Sequence, residues 1–235
     1  MRLIYTILML TMGFNLASAD SIPIFLIPGQ GSDSTIFAKL TFPSEYPVHH
    51  ITYITPDEGE TMQDYAMRLA EQIHHKEFVL IGVSLGGMLA TEITAQISPK
   101  KTIIISSAKH SGELPKRYNF QKKLPIYKLV GPKMNKLGAK VLQPIVEPDR
   151  NNEKAAFKAM LDRKDATFLN RTIPMIINWD RTISPDDIIH IHGDNDHTIP
   201  HRNVNCDYLL EDGSHMMTLT RADEVSEIIM EVLKE

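Results

Sequence analysis

The sequence has 235 residues, 43% of them hydrophobic, and a formal net charge of -4 at pH 7. This length and composition predict a single globular domain with a substantial core. The weak acidity argues against a nucleic-acid-binding protein, because such proteins carry a basic surface. Cys206 is the single cysteine, so no disulfide can form within this chain.

The first residues differ in composition from the rest of the chain. Arg2 precedes an apolar segment at residues 3–16, and the A-x-A pattern of a cleavage site follows at residues 17–19. The apolar segment is shorter than the roughly 18 residues that a membrane-spanning helix needs. We therefore expect residues 1–19 to be a secretory signal peptide, rather than a buried helix or an uncleaved anchor. The mature chain, residues 20–235, would then be secreted or periplasmic.

The predicted elements begin with a short apolar strand at residues 24–27, which runs into the sequence PGQGS at residues 28–32. Two glycines directly after a strand let the backbone turn its amides inward, as an oxyanion hole requires, although a plain tight turn has the same pattern. A second strand is predicted at residues 50–54. A helix is then predicted to follow Thr61, because Asp64 stands three residues later, as in a capping box.

The sequence changes character at residues 78–87, where an apolar run ends in GVSLGG and a helical pattern begins. This pattern predicts a buried strand, a sharp turn with Ser84 at its apex, and a helix. Gly82 and Gly86 lack a Cβ atom where strand and helix approach each other, so the Ser84 hydroxyl points away from the sheet. An acyl-transfer enzyme holds its nucleophilic serine exposed on a rigid turn, beside a base and near amides that receive the oxyanion. Ser84 is therefore a candidate nucleophile. An ordinary helix N-cap has a similar pattern.

A further buried strand is predicted at residues 102–106, so that strands and helices alternate as in a parallel sheet covered on both faces. The alternation stops at residues 107–180, which contain helical stretches and no clear strand pattern, and which we predict to be a helical insertion. Strands are predicted again at residues 188–191 and 206–210. A last helix is predicted to open at Thr220.

Three of the predicted strands are followed by loops that carry polar side chains suited to acyl transfer. These side chains are Ser84, an aspartate at position 194 or 196, and His215. The carboxyl ends of parallel strands lie at one edge of a sheet, so we expect the three loops to converge although they are distant in sequence.

The mature chain resembles the α/β-hydrolase superfamily over essentially its whole length. GVSLGG matches the family's nucleophile elbow, IPGQGS its oxyanion loop, GDNDHTIP its acid loop and GSHMM its histidine loop, in the family's order. One departure is Pro28, which stands where many members have histidine. The resemblance implies a three-layer α/β-hydrolase fold, with a mostly parallel sheet, helices on both faces, and a small helical cap inserted at about residues 107–180.

The resemblance also implies roles for individual residues. Ser84 would be the nucleophile, His215 the general base and Asp196 the acid that orients it. The backbone amides of Gln30 and Leu85 would receive the oxyanion. The implied activity is hydrolysis of a carboxylic ester or related acyl bond in a small-molecule substrate, with no cofactor and no metal. Thioester, lactone, amide and C–C bond hydrolysis and perhydrolysis use the same triad, and the sequence does not rank them.

Two other functions are compatible with parts of the sequence. A non-catalytic binding protein on the same fold is one, since fold does not fix function. A metal-dependent hydrolase is the other, because HIHGDN at residues 190–195 differs in one position from the zinc motif H-x-H-x-D-H. Asn195 occupies the last ligand position of that motif, and His190 is also explained as a packed or hydrogen-bonded histidine.

The predicted cap includes a basic segment at residues 107–140, in which nine Lys and Arg residues stand against Glu113 alone. Interleaved apolar side chains make this segment suited to a weak contact with anionic substrates or an anionic membrane surface. The alternative is a solvated face whose lysines keep the cap soluble. The sequence does not indicate an oligomeric state.

Overall fold

The computed structural model describes residues 21–125, 153–163 and 165–235. The signal peptide expected at residues 1–19 lies outside the described residues. Much of the basic segment also lies outside them, since the structure describes it only as far as residue 125.

Six parallel strands form one sheet with the strand order β2-β1-β3-β4-β5-β6. The strands are β1 (Ile24–Ile27), β2 (Val48–His50), β3 (Val79–Val83), β4 (Lys101–Ile105), β5 (Ile188–Gly193) and β6 (Tyr208–Leu210). The chain adds β2 on one side of β1 and then crosses to the other side to form β3, so the strand order reverses between β1 and β3. In open parallel sheets, ligands bind beyond the carboxyl ends of the strands at such a reversal.

The described residues also form seven α-helices. They are α1 (Met62–Ala70), α2 (Leu85–Thr94), α3 (Lys116–Lys123), α4 (Lys154–Arg163), α5 (Ala166–Asn178), α6 (Met217–Thr220) and α7 (Ala222–Lys234). Helix α1 begins where the capping pattern predicts, because Thr61 Oγ1 accepts the Asp64 amide at 3.1 Å. None of the helices in the described ranges has the length and apolar character needed to cross a membrane.

Helices cover both faces of the sheet. Successive strand residues point to opposite faces, so each strand supplies apolar side chains to both layers of helices. On one face, Phe25 and Leu80 pack with the buried side chains of α1 and α2. On the other face, Ile24 and Val79 pack with the buried side chains of α6 and α7. Each large apolar side chain buried in these clusters contributes about 1.5–3 kcal/mol to folding. The three-layer α/β fold expected from the sequence is therefore confirmed.

The insertion between β4 and β5 carries α3, α4 and α5, and its described residues contain no strand. Its two ends are tied together, since the amide and the hydroxyl of Ser111 both donate to the Arg181 carbonyl, at 2.9 and 2.8 Å. Phe168, Met175 and Ile176 of α5 belong to the same buried cluster as α1 and α2. Helix α5 is thus part of the core on that face of the sheet.

The second strand lies at Val48–His50 rather than at residues 50–54, so that prediction is wrong. The Ile51 amide still donates to the Leu26 carbonyl at 2.9 Å, and beyond this bond the chain leaves the sheet. Ile51 and Tyr53, whose alternation suggested the strand, instead pack into the core on the α1 side.

The last helix begins at Ala222 and not at Thr220, which is a second wrong prediction. Thr220 ends the short helix α6, and its amide donates to the Met216 carbonyl at 3.2 Å. An N-cap residue needs a non-helical backbone, so a residue that completes one helix is unsuited to cap the next. Arg221 separates the two helices, and its side chain makes no capping hydrogen bond to α7.

Candidate active site

Ser84 lies at the sharp turn between β3 and α2 that the sequence pattern predicts. Its φ of 53° and ψ of -119° belong to a region that non-glycine residues rarely adopt. Two hydrogen bonds to neighbouring residues hold this conformation, since Ser84 N donates to the backbone carbonyl of Ile105 at 3.0 Å and the Ser107 hydroxyl donates to Ser84 O at 2.7 Å. Backbone strain of this kind costs about 1–3 kcal/mol, and it clusters at functional sites.

The glycines of the GVSLGG segment stand where a side chain has no room. A Cβ atom on Gly82 would lie 2.2 Å from the Gly86 carbonyl oxygen, and one on Gly86 would lie 2.1 Å from the Ile27 carbonyl oxygen. Both distances are far below van der Waals contact, so β1, β3 and α2 approach this closely only because these side chains are missing. The close approach places Ser84 beyond the carboxyl ends of β1 and β3.

The loops after β5 and β6 bring Asp196 and His215 to Ser84. His215 Nε2 lies 2.9 Å from Ser84 Oγ, and His215 Nδ1 lies 2.7 Å from Asp196 Oδ2. Because a carboxylate accepts hydrogen bonds, Nδ1 carries the imidazole hydrogen and the Nε2 lone pair accepts the Ser84 hydroxyl hydrogen. Asp196 is 2% exposed and His215 is 7% exposed. The arrangement is suited to removal of a proton from Ser84.

The carboxylate of Asp196 is held by backbone amides as well as by His215. Its Oδ1 accepts the amides of Thr198 and Ile199, each at 2.8 Å. Burial alone would raise the pKa of Asp196, but the charge and hydrogen bond of His215, with the Ile199 amide, hold the pKa below its usual value. Asp196 therefore stays ionised and can stabilise a positive charge on His215.

The acid loop and the histidine loop are packed against each other at two glycines. A Cβ atom on Gly193 would lie 2.1 Å from the Gly213 carbonyl oxygen. That carbonyl also accepts the Asn195 amide at 3.0 Å, and the Asp194 amide donates to Leu210 O at 3.1 Å. These contacts fix the distance between the two loops, and with it the contact between Asp196 and His215.

Two buried histidines of β5 lie beneath the acid loop. His190 Nε2 lies 3.1 Å from His192 Nδ1, and His192 Nε2 lies 2.8 Å from Ile199 O. A carbonyl only accepts, so His192 carries its hydrogen on Nε2 and accepts the His190 Nε2 hydrogen at Nδ1. Burial lowers the pKa of both histidines, which keeps them neutral. Through Ile199, they support the loop that holds Asp196.

The side chains of the alternative zinc motif do not converge on one point. His190 and His192 hydrogen-bond to each other inside the core, whereas Asp194 is exposed. His201 Nδ1 donates to the Asp194 backbone carbonyl at 3.1 Å. Over the described ranges, no three side chains of His, Cys, Asp or Glu come close enough together to hold a metal ion.

The two amides expected to receive an oxyanion belong to segments that meet at Ser84. Leu85 is the first residue of α2, so its amide has no acceptor within the helix. Gln30 follows Gly29, where a Cβ atom would lie 3.3 Å from the Ser84 Cβ atom. The loop after β1 thus passes directly beside the candidate nucleophile, and the reversal of strand order explains why it does.

Sequence reasoning missed the side chains that anchor this loop. Gln30 Nε2 donates to Thr172 Oγ1 of α5 at 2.7 Å, and the Tyr53 hydroxyl donates to Pro28 O at 2.5 Å. Neither pair has a spacing or a motif that would indicate it. A cleft of about 200 Å³ lies between the loop and the insertion. The cleft is lined by Gly31, Ser32, Asp33, Tyr53, Thr55, Met160, Arg163, Asp165 and Phe168.

Comparison with known proteins agrees with this fold. The esterase from Thermogutta terrifontis matches with a TM-score of 0.71 at 16% identity, over 91% of this chain and 89% of the esterase. The enol-lactonase from Burkholderia xenovorans LB400 matches with a TM-score of 0.69 at 15% identity, over 92% of each chain. An esterase from Exiguobacterium antarcticum matches with a TM-score of 0.64 at 15% identity, over 91% of this chain and 92% of the esterase.

Sequence comparison gives the family. No curated protein matches the sequence significantly. The family model described as "Alpha/beta hydrolase family" matches residues 16–228, which include every residue of the site described above. The protein therefore belongs to the alpha/beta hydrolase family.

Proposed function

We propose that this protein is a serine hydrolase that cleaves a carboxylic ester, or a related acyl bond, in a small-molecule substrate. One observation carries the proposal. Ser84 Oγ, the two ring nitrogens of His215 and Asp196 Oδ2 form a continuous hydrogen-bonded path, with distances of 2.9 and 2.7 Å. A serine in this setting gains a base that takes its proton and an acid that fixes the base.

In the proposed acylation step, Ser84 Oγ attacks the carbonyl carbon while its proton moves to His215 Nε2. The carbonyl oxygen becomes an oxyanion, and the amides of Gln30 and Leu85 donate to it. The bond from carbon to the leaving oxygen then breaks as His215 Nε2 returns its proton to that oxygen. The products are a free alcohol and an acyl group on Ser84.

Deacylation uses the same groups with water in place of the alcohol. His215 Nε2 takes a proton from water, whose oxygen attacks the acyl carbon, and the oxyanion again faces the amides of Gln30 and Leu85. Collapse of this intermediate releases the acid and returns the proton to Ser84 Oγ. In both steps the buried carboxylate of Asp196 stabilises the imidazolium and holds its tautomer.

We also propose that the insertion at residues 107–180 acts as the cap of this site. Helix α4 supplies Met160 and Arg163 to the cleft beside the loop after β1, and α5 supplies Phe168 together with its N-cap residue, Asp165. A group of the substrate that extends from Ser84 would enter this cleft. Its lining mixes charged and aromatic side chains, so we expect short or polar acyl and alcohol groups to fit better than long alkyl chains.

The experiment that tests the proposal combines turnover with active-site labelling. Chromogenic esters of increasing acyl length would be assayed beside lactone and amide substrates, because the similar structures include esterases and a lactonase. An organophosphonate probe should label one site in the wild type and none in Ser84→Ala. Labelling that persists in this variant, or ligand binding without turnover of any substrate, would refute the proposal.

A further inference from the structure

Helix α5 is bonded directly to the oxyanion loop, which we define as residues 28–32. Gln30 Nε2 donates to Thr172 Oγ1 at 2.7 Å. The same hydroxyl donates to the Phe168 carbonyl, one turn earlier in α5, at 2.9 Å. Thr172 is completely buried, so water does not compete for its hydroxyl. The Gln30 side chain is therefore fixed against α5.

A second contact from α5 reaches the start of the oxyanion loop through Tyr53. The Tyr53 hydroxyl donates to the Pro28 carbonyl at 2.5 Å, and the Tyr53 ring packs against Phe168 with the ring centroids 4.9 Å apart. Phe168 and Thr172 stand four residues apart in α5 and so lie on one face of the helix. That face therefore holds the loop at both Pro28 and Gln30.

The two anchored residues flank Gly29, whose backbone passes beside Ser84. A Cβ atom on Gly29 would lie 3.3 Å from the Ser84 Cβ atom. Gly29 and Gly31, which has a φ of 71°, make the backbone of this short loop intrinsically free to change conformation. A displacement of about 1 Å in a catalytic group can cost about 100-fold in rate, so such a loop needs external support.

We propose that Thr172 is a positioning residue. Its hydroxyl holds the side chain of Gln30, so that the backbone amide of Gln30 faces the carbonyl oxygen of a bound acyl group. The inference rests on the proposed function, because it gives the oxyanion loop of that reaction its support. Thr172 does not contact the reacting atoms, and it acts through Gln30. The position of α5 therefore controls how well the oxyanion is stabilised.

The test is Thr172→Val, which removes the hydroxyl and keeps a branched side chain. We expect kcat on a short-chain ester to fall by about 10- to 100-fold while KM changes by less than about threefold, because an oxyanion contact acts in the transition state. The rate of inactivation by an organophosphonate should fall in parallel, since its phosphoryl oxygen uses the same amides. Thr172→Ser retains the hydroxyl and should keep kcat within about threefold of the wild type.

Thr91→Val is the matched control. Thr91 is also completely buried in a helix, and its hydroxyl donates to Gly87 O, four residues earlier, at 3.0 Å. Its substitution therefore measures the effect of deleting a buried helical hydroxyl that has no bond to the oxyanion loop. We expect Thr91→Val to keep kcat within about threefold of the wild type, with a loss of stability similar to that of Thr172→Val.

Gln30→Met keeps the test decisive if Thr172→Val fails to fold, because residue 30 is only half-buried. It removes the same hydrogen bond and should lower kcat to the same degree, and the double variant should lose no more than either single one. The inference is overturned if wild type hydrolyses esters and the folded variants retain kcat, or if only KM changes. A wild type with neither ester turnover nor labelling at Ser84 would instead refute the proposed function, and the inference with it.

Discussion

His215 Nδ1 lies 2.7 Å from Asp196 Oδ2, whereas Asp194, two residues earlier in the same loop, is exposed. The backbone of Asp194 is engaged elsewhere. Its amide donates to Leu210 O at 3.1 Å, and its carbonyl accepts from His201 Nδ1 at 3.1 Å. The two aspartates are chemically the same and close in sequence, but only one is bonded to the imidazole, so they form a matched pair for mutagenesis.

Asp196→Asn is expected to lower kcat by about 10³- to 10⁴-fold, because an amide at this position can donate to Nδ1 and stabilise the wrong tautomer of His215. Asp194→Asn should lower kcat by about tenfold or less, through local changes in the loop. Both variants would be assayed on the same chromogenic ester. A larger loss in Asp194→Asn would assign the orienting role to Asp194 and contradict the role proposed for Asp196.

Gly86→Ala is expected to lower the free energy of unfolding by about 3 kcal/mol, because the new Cβ atom would force β1 and α2 apart. The clash is with the Ile27 carbonyl oxygen, at 2.1 Å. Urea unfolding followed by the fluorescence of Trp179, the single tryptophan, measures the loss. The displacement of α2 should also move Ser84, so we expect kcat of the folded fraction to fall.

Gly59→Ala is the control for this measurement. Gly59 has a φ of +76°, but nothing lies within 4 Å of a Cβ atom placed there. Its substitution therefore introduces backbone strain without a clash, and we expect it to cost about 1–2 kcal/mol and to leave kcat unchanged. Equal losses in the two variants would show that the contact with Ile27 does not determine the cost at Gly86.

The parts of the site that follow local patterns could be predicted from the sequence. The turn at Ser84 follows from the glycines of one six-residue segment, and the acid and histidine loops each follow a strand that the sequence pattern predicts. The bond from Gln30 to Thr172 could not be predicted, because it joins residues 142 positions apart and Thr172 belongs to no motif. Such a contact depends on how the insertion folds back over the sheet.

The wrong boundary of β2 also has its cause in tertiary packing. All three residues of β2 are exposed, so this edge strand leaves no buried pattern in the sequence. The apolar alternation that follows it belongs to Ile51 and Tyr53, which pack into the core after the chain has left the sheet. Tertiary packing therefore determined these residues' roles, and local periodicity did not.

Arg181→Ala is expected to lower the free energy of unfolding by about 3–5 kcal/mol, because it leaves the buried carboxylate of Glu92 without its cation. Arg181 donates from Nε to Glu92 Oε1 and from a terminal nitrogen to Oε2, both at 2.7 Å, and Trp179 Nε1 donates to Oε1 at 2.6 Å. Glu92 lies in α2, so these bonds tie the end of the insertion to the helix that follows Ser84.

Lys158→Ala serves as the comparison for Arg181→Ala, because it removes an ion pair at the surface. The side chains of Lys158 and Asp162 are 78% and 49% exposed, whereas those of Arg181 and Glu92 are 19% and 4% exposed. We expect Lys158→Ala to leave the urea midpoint nearly unchanged, because solvent screens an exposed ion pair. If the two variants lost the same stability, burial would not be the reason for the strength of the Arg181 contact.

Acidification below about pH 6.5 is expected to destabilise the protein through His190 and His192. Burial holds both pKa values below the value of about 6.5 that applies in an unfolded chain. Between the lowered folded pKa and pH 6.5 the unfolded state binds more protons, so each histidine lowers the free energy of unfolding by up to about 1.4 kcal/mol per pH unit of acidification. His190→Gln keeps a donor for His192 Nδ1 but does not titrate. Its urea midpoint should therefore change less with pH than that of the wild type, and an equal change would contradict this explanation.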